Sequence, residues 1–363
     1  MEQRHLQEIL SYFFLDTHIQ NFSIIGSGHI NDSIWIDKSD EDAFVLQRVN
    51  TDVFQDPKAL GRNLELVSRH MGTWAAKYHP DDMKRRFVQI MPTKSGSSFL
   101  ELDGAYWRLM YAIQDADTHE VLNSSEQAFE AGKLMGEFWV ALSGLSPDEV
   151  APTIDRFHDL RLRLEQLQAA FAGADEKRKA QAMTWVEHAE GLWHHLSPTV
   201  QMIENGELPQ RVVHNDAKLS NVLFDKHAQK GLCVIDLDTV MPGYLLYDFG
   251  DMVRSMCCPV AEDSAELEAI QCNIERFEAL ARGYVGASTA QITELEVDSL
   301  VQSGTYMSLI MGMRFLADYL NGSIYYKTAY PTHNLDRARN QITLAQDLMR
   351  REKQLHSTLR LFL

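Results

Sequence analysis

Residues Val212–Asp225 read VVHNDAKLSNVLFD, and Val234–Val240 read VIDLDTV. Apolar runs of strand length flank a short charged loop. Asp216 and Asn221 therefore fall in or beside a turn leading into a hairpin whose far strand ends at Asp236. Polar groups at such strand ends can converge on one point. A loop aspartate, a second ligand five residues on and another aspartate fifteen beyond that form the set phosphoryl transfer requires. One carboxylate orients an acceptor hydroxyl and takes its proton, while an amide oxygen and a second carboxylate hold Mg²⁺ against nucleotide phosphates. Lys218, two residues after Asp216, has a place beside the charge that develops on the transferred group. A metal-free alternative is a turn held by its own Asp and Asn side chains.

Outward from this loop the chain changes texture. Before it lie short strand-like runs, FSII, DSIWIDKS, AFVLQRVN, RFVQIM, SSFLEL and AYWRLMYAI, separated by Gly, Asp and Ser turns. Between them PKALGRNLELVSRHMGTWAAKYH has helical spacing. After Asp115 long helical patterns dominate: SSEQAFEAGKLMGEFWVALSGL with its Ser-Ser cap, FHDLRLRLEQLQAAFAG, EKRKAQAMTWVEHAEGLWHHL, AELEAIQCNIERFEALARGYVG and the stretch from Ile292 to Tyr319. The expectation is an α+β chain of two lobes: a small antiparallel-sheet lobe over residues 1–113 that binds nucleotide, and a larger, mainly helical lobe over 114–363 that carries the charged loop and an acceptor pocket.

The 363 residues are 45% hydrophobic and 23% charged, an ordinary globular composition, and carry a formal net charge of −17. That field repels phosphate backbones and anionic membrane surfaces, which argues against a nucleic-acid or membrane partner. No run approaches the ~20 apolar residues of a membrane span, and MEQRHLQEILSYFFLD is amphipathic and acidic rather than a leader. Cys233, Cys257, Cys258 and Cys272 lack C-x-x-C spacing and read as reduced thiols of a cytoplasmic protein.

HNDAKLSNVLFD followed by VIDLDTVMPGYLLYDFGDMVR resembles the aminoglycoside phosphotransferase and choline kinase superfamily, which has the bilobal protein-kinase-like fold. His214-x-Asp216 with Asn221 five residues on matches the kinase pattern H-R-D-x-x-x-x-N, with Asp236 as the later metal-binding aspartate. GSGHIND, VLQRVNTDVF, NLELV, MRFLADYLNGSIYYK and HNLDRARNQ bring the resemblance closer to the bacterial N-acetylhexosamine 1-kinases and extend it over nearly the whole chain. The resemblance implies Asp216 as base, Asn221 and Asp236 as metal ligands, ATP and Mg as cofactors, and an amino sugar phosphorylated at its anomeric hydroxyl. Choline, homoserine or an aminoglycoside as acceptor, and a nucleotide-binding regulator that has lost catalysis, remain alternatives. The resemblance also suggests that Asp248 braces the catalytic loop from behind.

On the nucleotide side, Gly26, Ser27 and Gly28 lie between two apolar strands, where glycine lets backbone N–H groups approach phosphate. His29 and Asn31 could face phosphate or acceptor. Where a protein kinase carries its V-A-I-K lysine, this chain has Gln47, followed by Arg48. Alternation along a strand prevents both from pointing into one cleft without a bulge. Glu65 is the candidate helix partner, and backbone groups near Met110 and Ala112 could bond adenine at a hinge. Arg254, Arg314 and Asp318 are candidates for the acceptor pocket, although Arg314 and Asp318 are four apart and could pair along one helix.

Overall fold

The period-two alternation of the first third builds an antiparallel sheet with two unlike faces. The computed structural model describes residues 3–13, 19–25, 31–38 and 43–362. Helix α1 (Gln3–Ser11) precedes strands β1 (Ile19–Ile24), β2 (Asp32–Lys38) and β3 (Ala43–Val49). After helix α2 (Pro57–Tyr78) come β4 (Ile90–Met91), β5 (Leu100–Leu102) and β6 (Ala105–Tyr111). The strand order is β1-β2-β3-β6-β4, with β5 also paired to β6. Ile34, Ile36, Phe44, Leu46, Trp107 and Leu109 form the outer face and pack on Leu6, Ile9, Leu10 and Phe13 around α1. The inner face carries a polar row, because Ser33 pairs with Gln47 and Gln47 with Arg108 across three strands.

Asp56 opens α2 by accepting the Ala59 N–H at 2.9 Å, with proline in the first turn where its missing donor costs nothing. Leu64, Val67 and Met71 bury one face of the helix against the main core. Beyond β6 the chain crosses to the helical lobe in a few residues. The Ala112 N–H donates to the Ala43 carbonyl at 2.9 Å, and β7 (Ala116–Asp117) then pairs with β9 (Val222–Asp225) of the second lobe. Arg85 fastens this crossing: Nε donates to the Gln114 carbonyl at 3.2 Å, and Nη2 to the Asp115 carbonyl at 3.0 Å and to the Asp225 carboxylate at 2.9 Å.

The helical lobe contains α3 (Ser125–Leu142), α4 (Leu160–Gly173), α5 (Glu176–Glu204), α6 (Leu245–Met256), α7 (Ile274–Ser288), α8 (Glu294–Leu320), α9 (His333–Arg350) and α10 (Glu352–Leu359). Two small pairings interrupt it: β9 lies between β7 and β10 (Gly231–Val234), and β8 (Arg211–Val213) pairs with β11 (Met241–Gly243). Among the described residues no helix is long and apolar enough to cross a membrane, and the four cysteines are free and buried.

Two helices differ from their sequence expectation. α5 runs on through Pro198 to Glu204. The pattern from Ala265 to Gly286 yields a helix only from Ile274, because the preceding amides have other partners. The Cys272 N–H donates to Asp347 and the Asn273 N–H to the Cys257 carbonyl, each at 2.8 Å, and Asn273 then caps α7.

α6 and α8 are in close contact, and a Cβ added at Gly250 would lie 2.2 Å from the Ser303 carbonyl oxygen. Neither backbone can yield without separating the helices, so Gly250→Ala should lower stability by about 1–3 kcal/mol. A urea denaturation midpoint unchanged from wild type would show that the contact tolerates a methyl group.

Candidate active site

The charged loop takes its shape from a buried carboxylate behind it. Asp248, in the first turn of α6 and without solvent exposure, accepts the backbone N–H groups of His214 at 2.8 Å and Asn215 at 2.7 Å. Burial pushes its carboxyl up to about 6, although His214 and the two amides favour the charged form. Asn215 adopts the left-handed conformation at φ 61°, and its Nδ2 donates to the carbonyls of Thr239 and Met241 at 3.1 Å. His214 is scaffold: Nδ1 accepts the Asp216 N–H at 3.2 Å, and Nε2 donates to the Ile235 carbonyl at 2.9 Å. His158, which the sequence reading passed over, donates from Nε2 to the Asn215 carbonyl at 2.7 Å. Burial lowers its pKa to about 3, so it stays neutral.

On this frame the loop brings Asp216, Lys218 and Asn221 together. Lys218 Nζ lies 2.7 Å from Asp216 Oδ2, and Asn221 Nδ2 donates to the same oxygen at 2.9 Å and to the Asp216 carbonyl at 2.8 Å. Burial disfavours charge on Asp216, but Lys218, His214 and Arg254 outweigh it and hold the carboxyl at about 2. Burial likewise opposes charge on Lys218, and Asp216 overrides it, raising the amine to about 12. With Nδ2 committed to Asp216, the Oδ1 of Asn221 is its free coordinating atom.

Asp236 follows β10 in a left-handed conformation, φ 61° and ψ 59°, and opens to solvent through the cleft. The protein crowding around it, then Asp238 and Asp216, pushes its carboxyl up to about 6 against the pull of Lys218 and Arg108. Asn221 Oδ1 and the Asp236 carboxylate are hard oxygen donors of the kind Mg²⁺ takes, and a clustered negative potential at Asp236 is what a cation relieves. Among the described residues no three His, Cys, Asp or Glu side chains form a ready metal cage. A magnesium ion here would rely on phosphate and water oxygens for its remaining ligands.

Asp238 is held away from that role. Arg108 reaches both of its oxygens, from Nη1 to Oδ1 and from Nη2 to Oδ2 at 2.9 Å, and Asn31 Nδ2 donates to Oδ2 at 2.6 Å. Arg108 is the principal residue that sequence reasoning missed. Its signal was a charge in the middle of the apolar strand AYWRLMY.

The remaining sequence candidates divide. Gly26, Ser27, Gly28 and His29 lie outside the described residues. Asn31 is buried as a brace, its Oδ1 accepting the Asn50 N–H at 2.9 Å. Gln47 faces inward, where its Oε1 accepts two N–H groups of Arg108. Arg48 is corrected: it is exposed on the face of β3 shared with Phe44 and Leu46, because alternation turns it away from Gln47. Glu65 is also corrected as a cation partner, being exposed beside a groove lined by Ser68, Gly72, Phe87 and Ile90. Met110 has the parity of Arg108 and lies on the inner face, whereas the Ala112 N–H is occupied by Ala43.

On the acceptor side, Arg254 is buried and bonded to Asp251 at 2.6 Å and to Glu262, so it supports Asp216 electrostatically from behind. Arg314 and Asp318 do not pair. Asp318 instead accepts the N–H groups of Ile324, Tyr325 and Tyr326 and the amide of Asn334, bracing the turn after α8; this corrects its reading as an acceptor contact. The Arg314 guanidinium lies 5.4 Å from the Phe157 ring centroid and 5.6 Å from that of Tyr326.

Asp248→Asn keeps size but leaves one loop amide facing an amide nitrogen, at a cost of about 1–3 kcal/mol. Turnover should fall at least ~10-fold, because small displacements of a reacting group are expensive. The folded-state pKa of Asp248 lies above the ordinary carboxylate value, so its protonation stabilises the fold at low pH and that contribution is lost as pH rises through about 6. The stability advantage of wild type over Asp248→Asn should therefore shrink between pH 4 and pH 7 in urea titrations; an advantage that grows over this range would contradict the assignment.

The model of the phosphotransferase enzyme family matches residues 21–271, which span both lobes and the whole loop. The fold is similar to that of an aminoglycoside phosphotransferase from Alicyclobacillus acidocaldarius, with a TM-score of 0.63 and 14% identity over 98% of this chain and 96% of that one. It is also similar to a spectinomycin phosphotransferase solved with ADP and spectinomycin, with a TM-score of 0.62 and 12% identity over 97% and 98% of the two chains. A choline kinase from Cryptosporidium parvum matches with a TM-score of 0.58 and 12% identity over 99% of each chain. A loop aspartate bonded to lysine and asparagine, set under an antiparallel sheet and matched by the family model over most of the chain, places this protein in the phosphotransferase enzyme family.

Proposed function

We propose that the chain is an ATP- and Mg²⁺-dependent kinase that phosphorylates the anomeric hydroxyl of an N-acetylhexosamine. The observation that carries the acceptor class is the charge around the base. Of the carboxylates there, Asp216 is bonded to Lys218, and Asp251 and Glu262 both pair with Arg254. Arg314 sits between aromatic rings, and Arg163 is close enough that, after burial, the charge of Arg314 is the next cause holding Arg163 down at about 10. Apart from Asp236, which the metal would take, the carboxylates named here are already paired, so a protonated amine would meet cations rather than a free carboxylate. An uncharged, acylated sugar offers carbonyl and hydroxyl oxygens to guanidinium donors and an apolar ring face to Phe157 and Tyr326. Aminoglycoside and choline acceptors, named for the similar folds, fit this lining less well.

In the reaction so read, Asp216 accepts a hydrogen bond from the acceptor hydroxyl and orients its oxygen for in-line attack. A carboxylate at about 2 is a weak base, which suits a loose transition state in which the proton leaves late. Lys218 stands where negative charge accumulates on the transferred group. Asn221 keeps Asp216 in one rotamer through Nδ2, which leaves Oδ1 available, and Asn221 and Asp236 would hold the metal. Bound at these two residues, magnesium would supply charge neutralisation for the nucleotide phosphates. Val45 and Met110 on the inner sheet face supply an apolar wall for the base of the nucleotide. Loss of catalysis, the reading suggested by Gln47 in place of lysine, finds less support once Arg108 puts a cation beside that glutamine.

A coupled ADP-release assay with Mg-ATP should give turnover with N-acetylglucosamine or N-acetylgalactosamine and none with choline. Turnover confined to choline, homoserine or an aminoglycoside would overturn the acceptor assignment. Asp216→Asn should cut turnover by roughly 10²–10⁴ while leaving ATP affinity within a few-fold, measured by calorimetry. Metal binding needs Asp236 ionised, so the Mg²⁺ concentration for half-maximal rate should rise about tenfold for each pH unit below about 6. A Mg²⁺ requirement that does not change between pH 5 and pH 8 would remove Asp236 from the metal site.

A further inference from the structure

In the protein-kinase arrangement a strand lysine pairs with a helix glutamate. Here the corresponding strand position is Gln47 and the candidate helix glutamate, Glu65, is exposed. The buried ion pair that spans the cleft uses other elements. Arg108 and Asp238 are each 2% exposed, one on β6 of the sheet lobe and the other two residues beyond Asp236 in the helical lobe. The guanidinium is bonded on both sides. Nε and Nη2 donate to Gln47 Oε1 at 2.9 and 2.6 Å, while Nη1 and Nη2 reach the two oxygens of Asp238. Gln47 is fixed in turn by donating to Ser33 Oγ at 2.8 Å, its cross-strand neighbour. The polar row of the inner face therefore ends on one carboxylate of the opposite lobe.

Asp238 has further ties. Asn31, next to the glycine-containing segment, donates to Oδ2, and Thr153 Oγ1 donates to the Asp238 carbonyl at 2.8 Å. With both oxygens held by donors from the sheet lobe, its carboxylate is a poor candidate for a second metal ligand. It stands two residues after Asp236, whose backbone is left-handed.

We propose that Arg108 is a positioning residue that clamps the two lobes through Asp238 and thereby sets the Asp236 carboxylate for the metal-nucleotide complex. The proposal rests on the kinase reading above. Arg108 does not touch the nucleotide in this role. It acts through Asp238, and Gln47 keeps the guanidinium plane aligned with the carboxylate.

The test uses full-length protein with two ligands, ATP plus EDTA and ATP plus Mg²⁺, and binding measured by calorimetry without acceptor. Arg108→Gln and Asp238→Asn should each weaken Mg-ATP binding at least ~10-fold while metal-free ATP binding changes less than ~3-fold. Arg108→Gln/Asp238→Asn, which leaves no unpaired buried charge, should be no weaker than either single variant, since both remove one interaction. Arg108→Lys should recover part of the Mg-dependent gain. Equal loss of metal-free and Mg-ATP affinity in the double variant, with wild-type thermal unfolding, would overturn the clamp in favour of a direct nucleotide contact. Additive losses in the double variant would also overturn it. Wild-type protein that binds no ATP under either condition would instead overturn the kinase reading on which the proposal rests.

Discussion

Two backbone amides and one buried carboxylate set the geometry on which the rest of the site depends. The chain turning from β8 into the charged loop cannot bond its own N–H groups at His214 and Asn215, and water does not reach them. Asp248 meets both from the first turn of α6. This single contact permits the left-handed residue at Asn215, aims Asp216 outward and leaves the His214 ring free to bond Ile235 just before Asp236. The loop and the Asp236 segment are thus parts of one hydrogen-bonded frame. Close packing of α6 on α8 at Gly250 keeps Asp248 in place.

The frame supports an electrostatic arrangement that is deliberately incomplete. Three carboxylates, Asp216, Asp236 and Asp238, face two cations, Lys218 and Arg108. Lys218 is bonded to Asp216 and Arg108 to Asp238. The third carboxylate, at Asp236, feels its neighbours and opens to the cleft. Leaving one negative charge without a resident counterpart costs folding energy, and the same imbalance would favour a cation there.

The sequence revealed these parts unevenly, for physical reasons. Asp216, Lys218 and Asn221 were legible because they lie within six residues of one loop, so spacing alone fixes their neighbourhood. The sheet lobe and most helices were legible from periodicity. Arg108 was not, because its role depends on strand register and on a contact with Asp238 that is 130 residues away. Asp318 shows a related limit: its spacing of four from Arg314 allows a pair along one helix, but the turn after α8 presents three backbone amides that take the carboxylate instead. Local patterns report local partners. They do not report that a carboxylate has been taken by a loop, as at Asp318, or by the opposite lobe, as at Asp238.

The crossing between lobes carries a mechanical implication. Arg85 ties two successive carbonyls of that crossing to Asp225, and β7 is stitched into the sheet of the second lobe with only four residues between it and β6. Such a spine resists bending and acts like the closed edge of a book. The small polar clasp in which Arg108 and Asn31 meet Asp238 is a second tie between the same two covers. Opening the cleft would then mean breaking that clasp while the spine keeps the register of the two lobes.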